Sequence, residues 1–228
     1  MASQTNIRTI SRSASWVGGI SLLLIAVLAG VGNFGALAPL ITLGDATKTA
    51  AAISGSETQF RLGVLCMLIA AVLDVVVAAA LLHILEPVSR TLALVAAWFR
   101  IAYTAVFVVA ISQLALVPSL LSEPELGLNA IDAYYAVWRI GLILFAAHLL
   151  VVGYVCFRSG FVPRWLGILI GVAGIGYLID GVGTILVAGY QPTVSTVTFI
   201  GEVALIGWLF WAAVRRSRAL PRTAPVSA

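Results

Sequence analysis

Six apolar runs, each close to or above the roughly 20 residues a helix needs to cross a bilayer, constrain this chain more than any other feature: 16–41, 62–85, 91–116, 133–157, 165–188 and 196–214. Hydrocarbon offers no water to satisfy a backbone N–H or C=O, so a spanning segment is either a helix or a strand of a closed barrel. A barrel strand needs only about 9–11 residues, and these runs are far longer. Charged residues make up 10% of the sequence, where a soluble domain carries about a quarter. The expected fold is all-α: a polytopic membrane protein, a bundle of six transmembrane helices occupying residues 1–214.

Loop charges orient the bundle. Arg8, Arg12, Arg90, Arg158, Arg164, Arg215, Arg216, Arg218 and Arg222 fall on one side, against Lys48 and Arg61 on the other. That bias of nine to two places both ends inside, N-in/C-in. The connection between spans three and four agrees, carrying Glu123, Glu125 and Asp132 without a Lys or Arg. The first run, with Ala36-Leu37-Ala38 as a decoy cleavage site, is too long for a signal-peptide core and is expected to be retained. The net charge of +4 therefore signals topology, and no nucleic acid partner is expected. The bilayer itself is the one partner the composition requires.

The first outer loop, 42–59, is the longest, and Ser56 with Gln59 has capping-box spacing before Phe60. A short surface helix is expected there. The tail, 215–228, is Arg-rich and then Pro/Ser/Ala-rich, with too little apolar content to fold alone, and is expected to be a disordered basic cytoplasmic tail. Cys66 and Cys156 should lie near opposite membrane surfaces, which excludes a disulfide between them.

Ionisable side chains inside a membrane are costly and usually face the bundle interior, so function is sought among them first. Asp74, His83, Arg100, Arg139, His148, Asp180 and Glu202 are the candidates. At about 1.5 Å of rise per residue, Asp74, Arg100 and His148 lie roughly 13 to 17 Å from the inner surface, whereas Arg139, Asp180 and Glu202 lie roughly 9 to 12 Å from the outer one. His83 sits close enough to a span end to reach the interface. Arg139 and His148, nine residues apart, fall on opposite faces of span four at about 100° per residue. Asp74 is expected to neutralise Arg100, and Arg139 to be shared by Asp180 and Glu202. These pairs could equally do no more than specify which helices pack together.

Span five carries Gly167, Gly171 and Gly174 on one face and Gly176 and Gly183 near Asp180 on the other. Small faces let backbones approach closely, so this helix is expected to be central. The six tryptophans lie mostly toward span ends, as interfacial anchors do. No H-E-x-x-H, G-x-S-x-G or phosphate-binding glycine pattern is present, so no catalytic residue, metal or cofactor is assigned and an enzyme is the weakest reading.

The stretch from Phe157 through Arg158, Pro163, Arg164, Trp165 and Gly167, followed by Ala173-Gly174-Ile175-Gly176-Tyr177-Leu178-Ile179-Asp180, resembles the bacterial domain-of-unknown-function family numbered 4386. Phe60-Arg61-Leu62-Gly63, Asp74, the turn from Glu86-Pro87 to Arg90, Ala97-Trp98-Phe99-Arg100 and His148 to Gly153 extend the resemblance over nearly the whole chain. Ala146 and Ala147 depart from it where a glycine is expected. The resemblance implies a multi-pass protein of a bacterial inner membrane and transfers no activity to any residue.

Two functions follow from these observations. The first is a small transport or permeation protein moving an ion, a proton or a small molecule along the two charged layers. The second is a non-catalytic membrane subunit or sensor in which the same charges fix helix packing.

Overall fold

A computed structural model describes residues 11–215, and the far N-terminal segment and the tail beyond Arg215 lie outside them. The described chain is helical throughout: α1 (Arg12–Gly30), α2 (Ala46–Gly55), α3 (Glu57–Leu85), α4 (Arg90–Leu116), α5 (Pro124–Arg158), α6 (Arg164–Leu186), α7 (Val194–Thr198) and α8 (Ile200–Val214). A π-helical stretch, Val31–Leu37, and a 3-10 turn, Ala38–Leu40, prolong α1. Six segments are long and apolar enough to cross a membrane: Arg12–Leu40, Glu57–Leu85, Arg90–Leu120, Pro124–Arg158, Arg164–Leu186 and Val194–Val214.

Local chemistry sets the helix starts. The side chains of Ser11, Asp45 and Ser89 accept from the N–H groups of Ala14, Lys48 and Leu92, satisfying donors that a first turn leaves open. The surface helix expected in the first outer loop is α2, whose Ala46, Thr49, Ala50 and Ile53 are buried where it packs on α5. The capping box does not form, because Ser56 makes no side-chain cap. Gln59 turns instead to α1, donating from Nε2 to the carbonyls of Gly35 and Ala36 at 3.3 Å each. The N–H that Gln59 would accept from in a capping box, that of Ser56, is already bonded to the Ile53 carbonyl at the end of α2 at 3.0 Å.

The spans pack in a closed ring, α1 on α3, α3 on α4, α4 on α5, α5 on α6, α6 on α8, and α8 back on α1. Outward faces are apolar, with Val72, Val109, Ile140, Ile168 and Ile185 all exposed, the inverse of a soluble bundle and the surface lipid requires. Cys66 on α3 and Cys156 on α5 are free.

The span expected to be central, α6, is less buried than α5. Of the most apolar window of α5 56% is buried, against 33% for α6. Helix α5 starts at Pro124, well before its apolar run, because Gly127, Leu128, Ala130, Ile131 and Tyr134 are buried at that end of the bundle. The glycines of α6 bring it close to α5 without placing it in the middle. A Cβ on Gly153 of α5 would lie 2.7 Å from the Gly171 nitrogen and 2.8 Å from the Gly167 oxygen, and one on Gly167 would lie 2.7 Å from the Phe157 nitrogen. Backbone meets backbone at this crossing, as small-residue motifs allow. On the other side of α6, Gly176 leaves room for Thr198, and Gly183 for the Tyr190 ring.

Because no flexible side chain can move aside at that crossing, Gly153→Val should destabilise the bundle by about 3 kcal/mol or more. Loss of helical signal on heating in detergent measures this, and Gly171→Ala, whose added carbon meets open space, should unfold close to wild type.

Candidate functional site

Asp74 on α3, Arg100 on α4 and His148 on α5 project into the bundle and are 5%, 3% and 1% exposed. Arg100 Nη2 donates to Asp74 Oδ1 in a direct ion pair. Its Nη1 lies 3.1 Å from His148 Nε2, and His148 Nδ1 lies 2.8 Å from the Ala96 carbonyl. A carbonyl only accepts, so Nδ1 carries the proton. Nε2 then accepts from the guanidinium, which fixes a neutral imidazole. The result is a bonded chain across three helices, from Asp74 through Arg100 and His148 to the α4 backbone. One donor is left over: Arg100 Nε is buried without a partner.

Phe145, one turn before His148 on α5, forms a wall of this cluster. Its ring lies 5.4 Å from the Arg100 guanidinium carbon, stacks on His148 at 5.7 Å and tilts against Tyr103 at 4.9 Å. The same ring meets Tyr177 of α6 edge-on at 5.3 Å. Glu202 faces that phenol, its neighbouring donor, from the first turn of α8, just past the turn at Phe199. Glu202 Oε1 is buried and lacks a geometric hydrogen-bond partner. The charges of Arg100 and Asp74 both act on it, so Glu202 belongs with the cluster on α3, α4 and α5.

The expected sharing of Arg139 by Asp180 and Glu202 does not occur. Arg139 is only partly buried, its guanidinium lies over the Tyr135 ring at 5.9 Å, and no carboxylate of the described residues lies within ion-pair distance. Asp180 is committed elsewhere. Its carboxylate accepts from the Tyr190 hydroxyl at 2.8 Å and from the N–H groups of Thr193, Val194 and Ser195 at 3.3, 3.2 and 2.7 Å. It therefore caps α7 from a different helix, satisfying the donors that the start of α7 leaves open. His83 is exposed and lies 3.4 Å from Glu86.

Sequence reasoning missed Phe145, Tyr177 and Tyr103. The signal was available, since Phe145 and Tyr177 each stand three residues before an ionisable side chain, His148 and Asp180, on the same helical face. Trp138 and Trp208 were expected among the anchors, but Trp208 is buried and Trp138 is partly buried against the core. Trp138 stacks on Tyr134 and donates to the Tyr103 hydroxyl at 3.3 Å, while buried Trp208 stacks on Phe161.

A closed ring of six apolar helices enclosing a small set of ionisable and aromatic side chains defines a multi-pass helical membrane protein. Within that class the chain belongs to the family described as Domain of unknown function (DUF4386), whose model matches residues 17–213. It is similar to an uncharacterized protein of Archaeoglobus fulgidus, 35% identical over 138 residues, which covers 60% of this chain and 75% of the relative. No solved structure matches.

Removing one member of the buried pair leaves the other charge uncompensated, so Arg100→Ala should cost about 3 to 5 kcal/mol, while Asp74→Asn combined with Arg100→Met should recover much of the loss. Thermal unfolding of the three proteins in one detergent checks this. At the other end, the hydrogen bond to Asp180, some loss of hydration and the Asp180 charge push the Tyr190 phenol above its ordinary 10.0. A raised phenol favours the folded state in its neutral form, so this contact's contribution is complete below the ordinary value and is lost as pH rises through the raised one. In Asp180→Asn the phenolate absorbance of Tyr190, assigned by difference from Tyr190→Phe, should appear at lower pH.

Proposed function

We propose that this chain is a small transport or permeation protein of a bacterial inner membrane, its Arg-rich end cytoplasmic, with Glu202 as the group that exchanges a proton or binds a cationic cargo. The carrying observation is the buried Glu202 carboxyl, whose Oε1 lacks a geometric hydrogen-bond partner and whose neighbouring donor is the Tyr177 hydroxyl. Hydrocarbon makes such a group expensive unless its protonation or occupancy can change, and intramembrane carboxyls of this kind mark proton and ion pathways. A second orphan supports the same assignment. Thr198 Oγ1, one turn before Glu202 on the same face of the last span, is likewise buried without a partner, and polar groups inside a span that lack partners mark candidate pathways.

A second reading has its own support. Asp74, Arg100, His148 and the Ala96 carbonyl are bonded end to end, which is what charges serving only to lock three helices would do. In that reading the protein is a non-catalytic subunit or sensor, and its partner is another membrane protein.

Purified protein in liposomes separates the two. Proton and monovalent-cation flux is measured for wild type, Glu202→Gln and Asp180→Asn. Flux above protein-free liposomes that falls to background in folded Glu202→Gln, and survives in Asp180→Asn, supports transport through Glu202. Wild-type flux no greater than background across several cations and pH gradients sinks the transport reading and leaves the packing role.

A further inference from the structure

Independently of the transport reading, we infer that the end of the bundle formed by the C-termini of α5 and α8 and the N-terminus of α6 binds the headgroup of an anionic phospholipid. Three exposed arginines stand there, Arg158, Arg164 and Arg215. Each is held against an exposed ring: Arg158 over Tyr154 at 5.9 Å, Arg164 over Phe157 at 5.8 Å and Arg215 over Trp211 at 4.3 Å. Arg215 is close enough to stack, and a guanidinium on an aromatic face keeps its N–H edge free for a phosphate acceptor, while Arg158 and Arg164 lie at the outer reach of a cation–π contact. Arg158 donates only to the Tyr154 hydroxyl at 3.3 Å, and none of the three is in an ion pair with a carboxylate of the described residues. Residues 1–10 and 216–228 contain Arg8, Arg216, Arg218 and Arg222 and no Asp or Glu, so no acidic side chain of those segments can neutralise them.

The loop joining α5 to α6 is ordered. Ser159 Oγ donates to the Cys156 carbonyl at 2.7 Å and accepts from the Val162 N–H at 3.0 Å. Phe161 stacks on Trp208 of α8 at 6.4 Å, which ties the turn to α8. Arg158 and Arg164 thus leave either side of a fixed turn, and Arg215 ends the helix against which that turn is packed. Positive charge in loops orients spans without needing a site, but orientation does not require each guanidinium to be seated on its own ring. Cation and exposed ring together suit a phospholipid, with phosphate on the guanidinium edges and acyl chain along the aromatic faces at headgroup depth. A soluble polyanion would use the charges and leave the rings without a partner.

The test uses full-length protein in a neutral detergent, with tryptophan fluorescence quenched by brominated phosphatidylglycerol or brominated phosphatidylcholine. Phosphatidylglycerol should quench at about tenfold lower mole fraction. The preference should shrink as salt is raised and should vanish in R158Q/R164Q/R215Q. Should that variant lose its helical signal, each single Gln variant is expected to narrow the preference by about two- to threefold. Equal quenching by the two lipids, or a preference unchanged in the folded variants, overturns the proposal. So does displacement of the lipid by glycerol phosphate or a short oligonucleotide at matched charge, since the surface would then recognise any anion.

Discussion

A guanidinium in the middle of a bilayer has to be bonded by protein, and Arg100 shows how much structure that requirement organises. Its hydrogen bonds reach α3 through Asp74 and α5 through His148, and His148 returns to the Ala96 carbonyl one turn before Arg100 on α4. Three consecutive spans are thereby fixed in rotation as well as in proximity, because each partner must point inward at one level. Apolar packing alone would leave that rotation free, lipid tails being as apolar as leucine. The imidazole tautomer follows from the same geometry: once Nδ1 faces a carbonyl, Nε2 can only accept.

The remaining spans are placed by shape. Gly153 and Gly167 let α5 and α6 touch backbone to backbone. This crossing draws α6 against α5 and brings Tyr177 edge-on to the Phe145 ring. From there α8 closes the ring onto α1 and carries Glu202 to the phenol. Asp180 sets the geometry of that last step, since capping α7 fixes where the broken span begins.

Six spans were legible in the sequence because hydrocarbon imposes length and composition on any helix that crosses it. The Asp74, Arg100 and His148 cluster was legible from depth alone, since three polar groups at one level on three helices have few other partners. Depth failed for Arg139, Asp180 and Glu202 because it says nothing of rotation or of backbone donors. Arg139 faces a tyrosine ring, and Asp180 is taken by N–H groups of α7, an element too short for a hydrophobic pattern to reveal. The deeper burial of α5 was hidden for a related reason: glycine content reports how closely two helices approach, not how much of either one is covered. Ser56 and Gln59 had the spacing of a capping box, yet the Ser56 N–H is taken by the Ile53 carbonyl at the end of α2, and Gln59 donates instead to carbonyls of the π-helical stretch, partners that local spacing does not show.

The buried charges therefore divide by how much structure each carries. Asp74 and Arg100 cannot change state without leaving a lone charge inside the bundle, and His148 cannot gain a proton without opposing the guanidinium at Nε2. Asp180 cannot do so without releasing the start of α7. Glu202 carries none of these obligations: its Oε1 lacks a geometric partner, and its neighbour is the neutral Tyr177 phenol, which meets the Phe145 ring edge-on. Its protonation or occupancy can alter while the three-helix lock stays intact, which is why the proposed function rests on it. That difference in obligation, more than depth or residue type, sets Glu202 apart from the other intramembrane ionisable groups.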